Sequence, residues 1–248
     1  MPLLRQKVAI ITGASSGIGA ALALEFSRAG ARVVLFARRQ EQLERVAAAC
    51  PGETLTQAGD VTSEADRRAL VAAAQERWGR VDLLVNNAGL GSYGDFLDTS
   101  QEDWRRLMEI NLFAAVFLAS AALPAMLAQG SGLILNIASI GGLMAHADKV
   151  TPYVTSKHAL VGFTRGLAKD LEGSGVTVKA ACPHLTATEF FDHSQGAAEL
   201  APVAAKYRPH MDTPDEVARG ILAGLDGPAT VFFPTGAPAR AYEKGREL

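Results

Sequence analysis

The chain has 248 residues, 48% of them hydrophobic and 20% charged. That balance excludes a disordered, highly charged protein and suits a globular one with a core of ordinary size, expected as a single domain over residues 1–248. The 24 basic and 26 acidic residues are spread along the chain, so no basic block is available to track nucleic-acid phosphates or an anionic membrane, and a small-molecule partner is expected.

The opening residues run almost directly into a strand at 8–11, with no charged-then-apolar signal segment ahead of it, and a cytoplasmic location is the expectation. Apolar β-branched runs at 8–11, 32–36, 81–85, 133–137, 176–180 and 230–233 read as strands buried on both faces, and a weaker run at 54–58 fills the one gap between them. Amphipathic stretches at 17–29, 40–49, 63–78, 101–128, 152–172 and 214–225 read as helices. No apolar run is expected to be long enough to span a membrane. Strand and helix alternate throughout, which predicts a doubly wound α/β fold of the Rossmann type, with about seven parallel strands and helices on both faces.

The first strand ends in Thr12-Gly13-Ala14-Ser15-Ser16-Gly17-Ile18-Gly19 and opens directly into a helix. Glycines there let the backbone turn sharply and approach a pyrophosphate, while the helix start offers free N–H groups and a positive dipole end. Gly13, Ser15, Ser16, Gly17, Ile18 and Gly19 are therefore candidates to bind a dinucleotide. Three glycines alone would also serve a tight structural turn.

The second strand runs into Arg38 and Arg39. An acidic residue at this point usually accepts hydrogen bonds from the adenosine ribose, whereas guanidinium groups can grip a 2′-phosphate. NADP(H) is favoured over NAD(H), with Arg38 the first candidate; Arg39 could instead be solvated at the start of the next helix.

Tyr153 and Lys157 lie four residues apart on a predicted helix, so both side chains share one face. A phenol is a poor base at neutral pH, and a neighbouring ammonium favours its phenolate. Tyr153 is the candidate acid/base, and Ser139, at the end of the fifth strand, can hydrogen-bond the same substrate oxygen. Each feature alone has an ordinary structural explanation, as helix surface or as a turn residue. Cys50 and Cys182 stand far apart with no His or Cys at ligand spacing, so neither a disulfide framework nor a metal site is expected.

The glycine spacing G-x-x-x-G-x-G resembles the short-chain dehydrogenase/reductase family. Asp60, Asn86-Asn87-Ala88-Gly89, Asn111, Ser139, Tyr153-Val154-Thr155-Ser156-Lys157 and Pro183 follow in that family's order along nearly the whole chain. The resemblance implies that Asp60 and Val61 hold the adenine, that Asn87, Ala88 and Gly89 flank the ribose, and that Tyr153 and Lys157 also meet the cofactor. Asn111 would support the lysine through a water relay. Pro183, Thr186 and Thr188 would lie at the nicotinamide, although His184 replaces the family's glycine and Thr186 its aliphatic residue. His184 would then have to tolerate a positive φ, or the loop would shift.

By the same resemblance, residues 188–210 form a substrate lid whose Phe190 and Phe191 suit an apolar ligand. The segment before Tyr153, one residue longer than usual, brings His146, Asp148 and Lys149 to the pocket edge; Leu90, Tyr93 and Met144 are further candidates. A homodimer or homotetramer is implied, with the helices near 101–128 and 152–172 as faces. The expected activity is interconversion of a ketone or aldehyde and its alcohol. A 3-oxoacyl-thioester reductase and a non-catalytic NADP(H)-binding sensor are the alternatives.

Overall fold

The computed structural model describes residues 4–145 and 147–245. Among them, β1 (Val8–Thr12), β2 (Arg32–Ala37), β3 (Thr54–Ala58), β4 (Leu83–Asn86), β5 (Gly132–Ile137), β6 (Val176–Ala181) and β7 (Val231–Phe232) form one sheet. Its order is β3-β2-β1-β4-β5-β6-β7, with every pairing parallel. The expected doubly wound fold is present. Central strands read as unbroken apolar runs because both faces are covered: all five residues of β1 are buried.

Two apolar layers enclose the sheet. On one side Leu22, Phe26, Leu43, Val217 and Ile221, from α1 (Gly17–Arg28), α2 (Gln40–Ala49) and α8 (Pro214–Gly224), pack on Ile11, Val33 and Leu35. On the other, Leu70, Leu118, Ala122 and Met126, from α3 (Glu64–Trp78) and α5 (Ala114–Gln129), pack on Ile10, Val34 and Leu84. Strand order reverses between β1 and β4, so the loops leaving those two strands part to opposite sides and open a crevice at the carboxyl edge. The loops after β5 and β6 reach the same edge.

The helix expected at 101–128 is α4 (Gln101–Met108), a π-helical turn at Glu109–Phe113, and α5. By length and mean hydropathy alone, Gln101–Gln129 does reach membrane-spanning size, contrary to the sequence reading. Its apolar character has two sources here: Leu118, Ala119, Ala122 and Met126 are buried on the sheet, while Phe113, Phe117 and Leu127 stay exposed. Beyond α6 (Thr151–Asp170), two helices were not anticipated, α7 (Ala197–Tyr207) and α9 (Gly236–Gly245). Helix α7 falls inside the segment expected as a lid, and its interior Pro202 masks the helical pattern.

Candidate active site

The turn after β1 is built for close approach. Gly13 and Gly17 have φ of 63° and 56°, the left-handed region that favours glycine. At Gly19 a Cβ would lie 2.3 Å from Gly13 O and 2.5 Å from Asn87 Nδ2. Thr12 Oγ1 accepts from the backbone N–H of Asn87 and of Ala88, both at 3.0 Å. Asn87 Nδ2 returns a bond to Thr12 O at 2.9 Å. These bonds lock the β4 loop, with Asn87, Ala88 and Gly89, against the glycine turn. Ser16 starts α1 without a side-chain hydrogen bond capping the helix, which leaves amide donors turned toward the crevice, the arrangement an anion takes up. An open cavity of about 280 Å³, lined by Ser16, Gly17, Thr188, Glu189 and Arg208 among others, lies between this turn and the segment expected as a lid. A dinucleotide fits this cradle: with no Cβ at Gly13, Gly17 and Gly19, the turn packs closely on the β4 loop and Thr188 while the free amides at the start of α1 stay open to an anion.

At the end of β2, Arg38 is exposed and lies near Asp60. Burial works to raise the pKa of Asp60, but bonds from Thr62 N at 2.9 Å and Thr62 Oγ1 at 2.8 Å, with Arg38 and Arg106 nearby, bring it below its ordinary value. Val61 packs against the second core layer, and its carbonyl accepts from Arg67. Arg39 is not simply solvated: its Nη2 donates to Ser15 Oγ at 3.3 Å, Ser16 Oγ at 3.2 Å and Glu189 Oε2 at 3.3 Å. Of the two arginines, the one ranked second in sequence touches the glycine turn.

Ser139, Tyr153 and Lys157 converge beyond β5. Ser139 is 8% exposed, begins a 3₁₀ turn (Ile140–Gly142) by accepting from Gly141 N at 3.0 Å, and shares a side-chain hydrogen bond with Tyr153. Lys157 Nζ donates to Ile137 O at 2.9 Å and lies 5.8 Å from the centre of the Tyr153 ring. Burial pushes the Tyr153 phenol up to about 12, with the Ser139 bond opposing it, and pushes Lys157 down to about 8. The phenol therefore keeps its proton at neutral pH, next to an ammonium.

Asn111 sits in the π-helical turn, where the extra residue in the ladder redirects a side chain. Its Oδ1 accepts from Leu90 N at 2.7 Å, and its Nδ2 donates to Leu90 O at 2.8 Å and Ser156 Oγ at 3.0 Å. It braces the loop beside Gly89, where a Cβ would stand 3.7 Å from Lys157 Nζ. Ser156 and Thr12, both inside motifs, were not singled out from sequence as bracing groups; their neighbours in the motifs were the only signal.

After β6, Pro183 O accepts from Ile140 N at 2.9 Å, tying this loop to Ser139's turn. The non-glycine positive φ angles among the described residues are at Gln6 and Lys149, so His184 carries no left-handed strain, and the reason for expecting it falls away. Thr186 is buried and donates to His184 O at 3.2 Å, bracing the loop from within. Thr188 presses on the glycine turn, its Cγ2 3.1 Å from where a Gly17 Cβ would be.

The lid is docked. Gln195 pairs with Ser92 in a parallel bridge, and its Nε2 donates to Asp103 O and Oδ1 at 3.2 and 3.1 Å. Tyr93 N donates to Gln195 O at 3.0 Å. The Phe190 ring meets Tyr153 edge-on at 5.9 Å, and Phe191 meets Phe190 at 6.0 Å. Leu90 and Tyr93 thus serve the site through their backbones, and Met144 N closes the 3₁₀ turn onto Ile140 O. Lys149 pairs with Asp95 at 2.8 Å and Asp148 is exposed. His146 lies outside the described residues.

A family model described as "short chain dehydrogenase" matches residues 7–198. Pig dehydrogenase/reductase SDR family member 4 is 36% identical over 191 residues, 75% of this chain and 68% of that protein. A short chain dehydrogenase/reductase from Burkholderia phymatum, solved in complex with NAD, superposes with a TM-score of 0.90 at 28% identity, covering 100% of this chain and 95% of that one. A variant of actinorhodin polyketide ketoreductase, solved with NADPH, gives 0.83 at 33% identity over 94% and 97%. With this match spanning glycine turn, strand order and catalytic-edge loops alike, the chain belongs to the short-chain dehydrogenase/reductase family and is an oxidoreductase.

Proposed function

We propose that the chain is an NADP(H)-dependent carbonyl reductase, acting in one domain on a ketone or aldehyde, probed reversibly as an alcohol dehydrogenase, with residues 188–210 as its substrate lid. The observation that carries the reading is the group of buried Ser139 and Lys157 with half-buried Tyr153 beside the glycine turn. Gly13, Ser15, Ser16, Gly17, Ile18 and Gly19 would hold the pyrophosphate, and Arg38 and Arg39 a 2′-phosphate. Asp60 and Val61 would line the adenine, Asn87, Ala88 and Gly89 the ribose, and Pro183, Thr186 and Thr188 the nicotinamide end. When bound, the nicotinamide supplies or accepts the hydride.

The protein's own residues handle the proton. In reduction, Tyr153, neutral because burial holds its pKa near 12, donates its O–H proton to the carbonyl oxygen. Ser139 Oγ–H hydrogen-bonds that oxygen as negative charge develops. The Lys157 ammonium lowers the cost of the phenolate that remains. Asn111 holds the Leu90 loop and α6 in register, and by family resemblance positions a water for the lysine. Phe190 and Phe191 make the entrance apolar, and the exposed pair Phe113 and Phe117, 6.1 Å apart, suits a homodimer or homotetramer contact.

The likeness to a polyketide ketoreductase favours a second reading, reduction of a 3-oxoacyl thioester. NADPH absorbance over a panel of ketones, aldehydes and a 3-oxoacyl thioester separates the two. Tyr153→Phe is expected to abolish turnover and spare NADPH binding; substantial residual activity overturns the assignment. Tight NADPH binding without turnover of any carbonyl would point to a sensor.

A further inference from the structure

Arg39 holds both walls of the cofactor cleft at once. Its Nη2 reaches Ser15 and Ser16 on the glycine turn, and also Glu189 Oε2 at 3.3 Å on the lid. The ion pair is open to solvent, with side chains 39% and 56% exposed, so it exchanges readily and contributes little to stability. Glu189 has a second side-chain nitrogen within reach, His193 Nε2 at 3.8 Å. The carboxylate can therefore leave Arg39 without being left alone.

A 2′-phosphate arriving beside Arg38 and Arg39 is an anion that needs the guanidinium Glu189 already occupies, and the carboxylate repels it. A ribose hydroxyl meets neither effect. We propose that Glu189 is a specificity-determining residue on the lid, an internal competitor for Arg39 that the cofactor's 2′-phosphate must displace. The inference rests on the NADP(H) reading given above. The next residue, Phe190, lies against Tyr153, so displacing Glu189 acts on the segment that covers the proton donor, and the phosphorylated cofactor loosens this cover where the unphosphorylated one does not.

Glu189→Gln keeps the side chain's shape at an exposed position and removes its charge. Calorimetric titration with adenosine 2′,5′-bisphosphate and with adenosine 5′-monophosphate isolates the 2′-phosphate without requiring turnover. The variant is expected to tighten the bisphosphate roughly fivefold relative to the monophosphate, the scale of one exposed ion pair. The gain should vanish in an Arg39→Gln background. An equal change for both nucleotides, or the same gain without Arg39, overturns the proposal. If Arg39→Gln weakens the bisphosphate while Glu189→Gln changes nothing, this proposal alone falls. If the wild-type protein does not prefer the bisphosphate and neither Arg38→Gln nor Arg39→Gln affects it, the NADP(H) reading fails and takes the proposal with it.

Discussion

Asn111→Ala would cut a tie between the loop after β4 and α6. Asn111 is 2% exposed and makes three hydrogen bonds, two to the backbone of Leu90 and one to Ser156 Oγ. Ser156 keeps a partner after the change, because its hydroxyl also donates to Tyr153 O at 2.7 Å. Two part-buried groups, Leu90 N–H and Leu90 C=O, lose their partner. A fully buried group so stranded costs about 1–3 kcal/mol, and water reaching these part-buried ones recovers much of it, which leaves about 1–2 kcal/mol in all. A domain of ordinary stability survives that loss. Urea unfolding should show a lower midpoint at an unchanged slope, the sign of lost stability rather than an altered unfolded state. Because the freed loop carries Gly89 beside Lys157, kcat should also fall, by about tenfold or more. A loss below about 0.5 kcal/mol, the level of a neutral surface change, would refute this account of Asn111, as would an unchanged kcat.

Burial lowers Lys157 from the ordinary 10.5 to about 8, so kcat/KM for reduction should fall as pH rises through about 8, while Tyr153 stays protonated; a flat profile through that range rejects the role of the ammonium. The unfolded lysine keeps its proton up to 10.5, so between the two values the unfolded state binds more protons, and this group's contribution to stability rises with pH. Gly19→Ala places a Cβ 2.3 Å from Gly13 O and should weaken NADPH binding by at least about tenfold with an unchanged circular dichroism spectrum; nucleotide fluorescence titration checks it, and wild-type affinity would contradict the close-approach argument. Asp82 is buried, which raises its pKa, but Arg80, Val8 N–H and Lys7 bring it net below the ordinary 3.8. Its stabilisation is thus present above 3.8 and lost as pH falls through the lower folded value. Asp82→Asn should destabilise at pH 7 and lose most of that effect in acid; an equal shift of the urea midpoint at both pH values speaks against it.

The glycine turn and the Tyr153–Lys157 pair were legible because their information is local. Four residues bring two side chains onto one helical face, and a glycine run between a strand and a helix has few physical uses. The alternation of apolar runs with amphipathic stretches set the fold class for the same reason, and β3 was found by the gap it had to fill. The π-helical turn left no such trace. Residues 101–128 read as one helix, because a single inserted residue changes the phase of the pattern by less than loop signals do, yet that turn is what aims Asn111 at Leu90. The contacts of Arg39 were hidden in a similar way: its partners Ser15 and Glu189 lie 24 and 150 residues distant, and no spacing rule reaches them.

The proposed lid shows why the chemistry is easier to read than the selectivity. Its place is set by two glycines far apart in the chain. A Cβ at Gly91 would stand 2.1 Å from Ser194 Oγ, and one at Gly196 would stand 1.9 Å from Tyr93 O. Only with both side chains missing can the segment lie down on the β4 loop, where the backbone bonds between Tyr93, Gln195 and Gly91 then hold it. In sequence those glycines are ordinary loop punctuation, with no periodic partner to mark them. Yet the contact they permit fixes where Glu189 and Phe190 stand, one against Arg39 and the other against Tyr153. The groups proposed to move the proton are set by strand ends and one helix face, so they follow from the fold. The groups proposed to choose what reaches them are set by a backbone contact between loops, so they follow from Gly91 and Gly196.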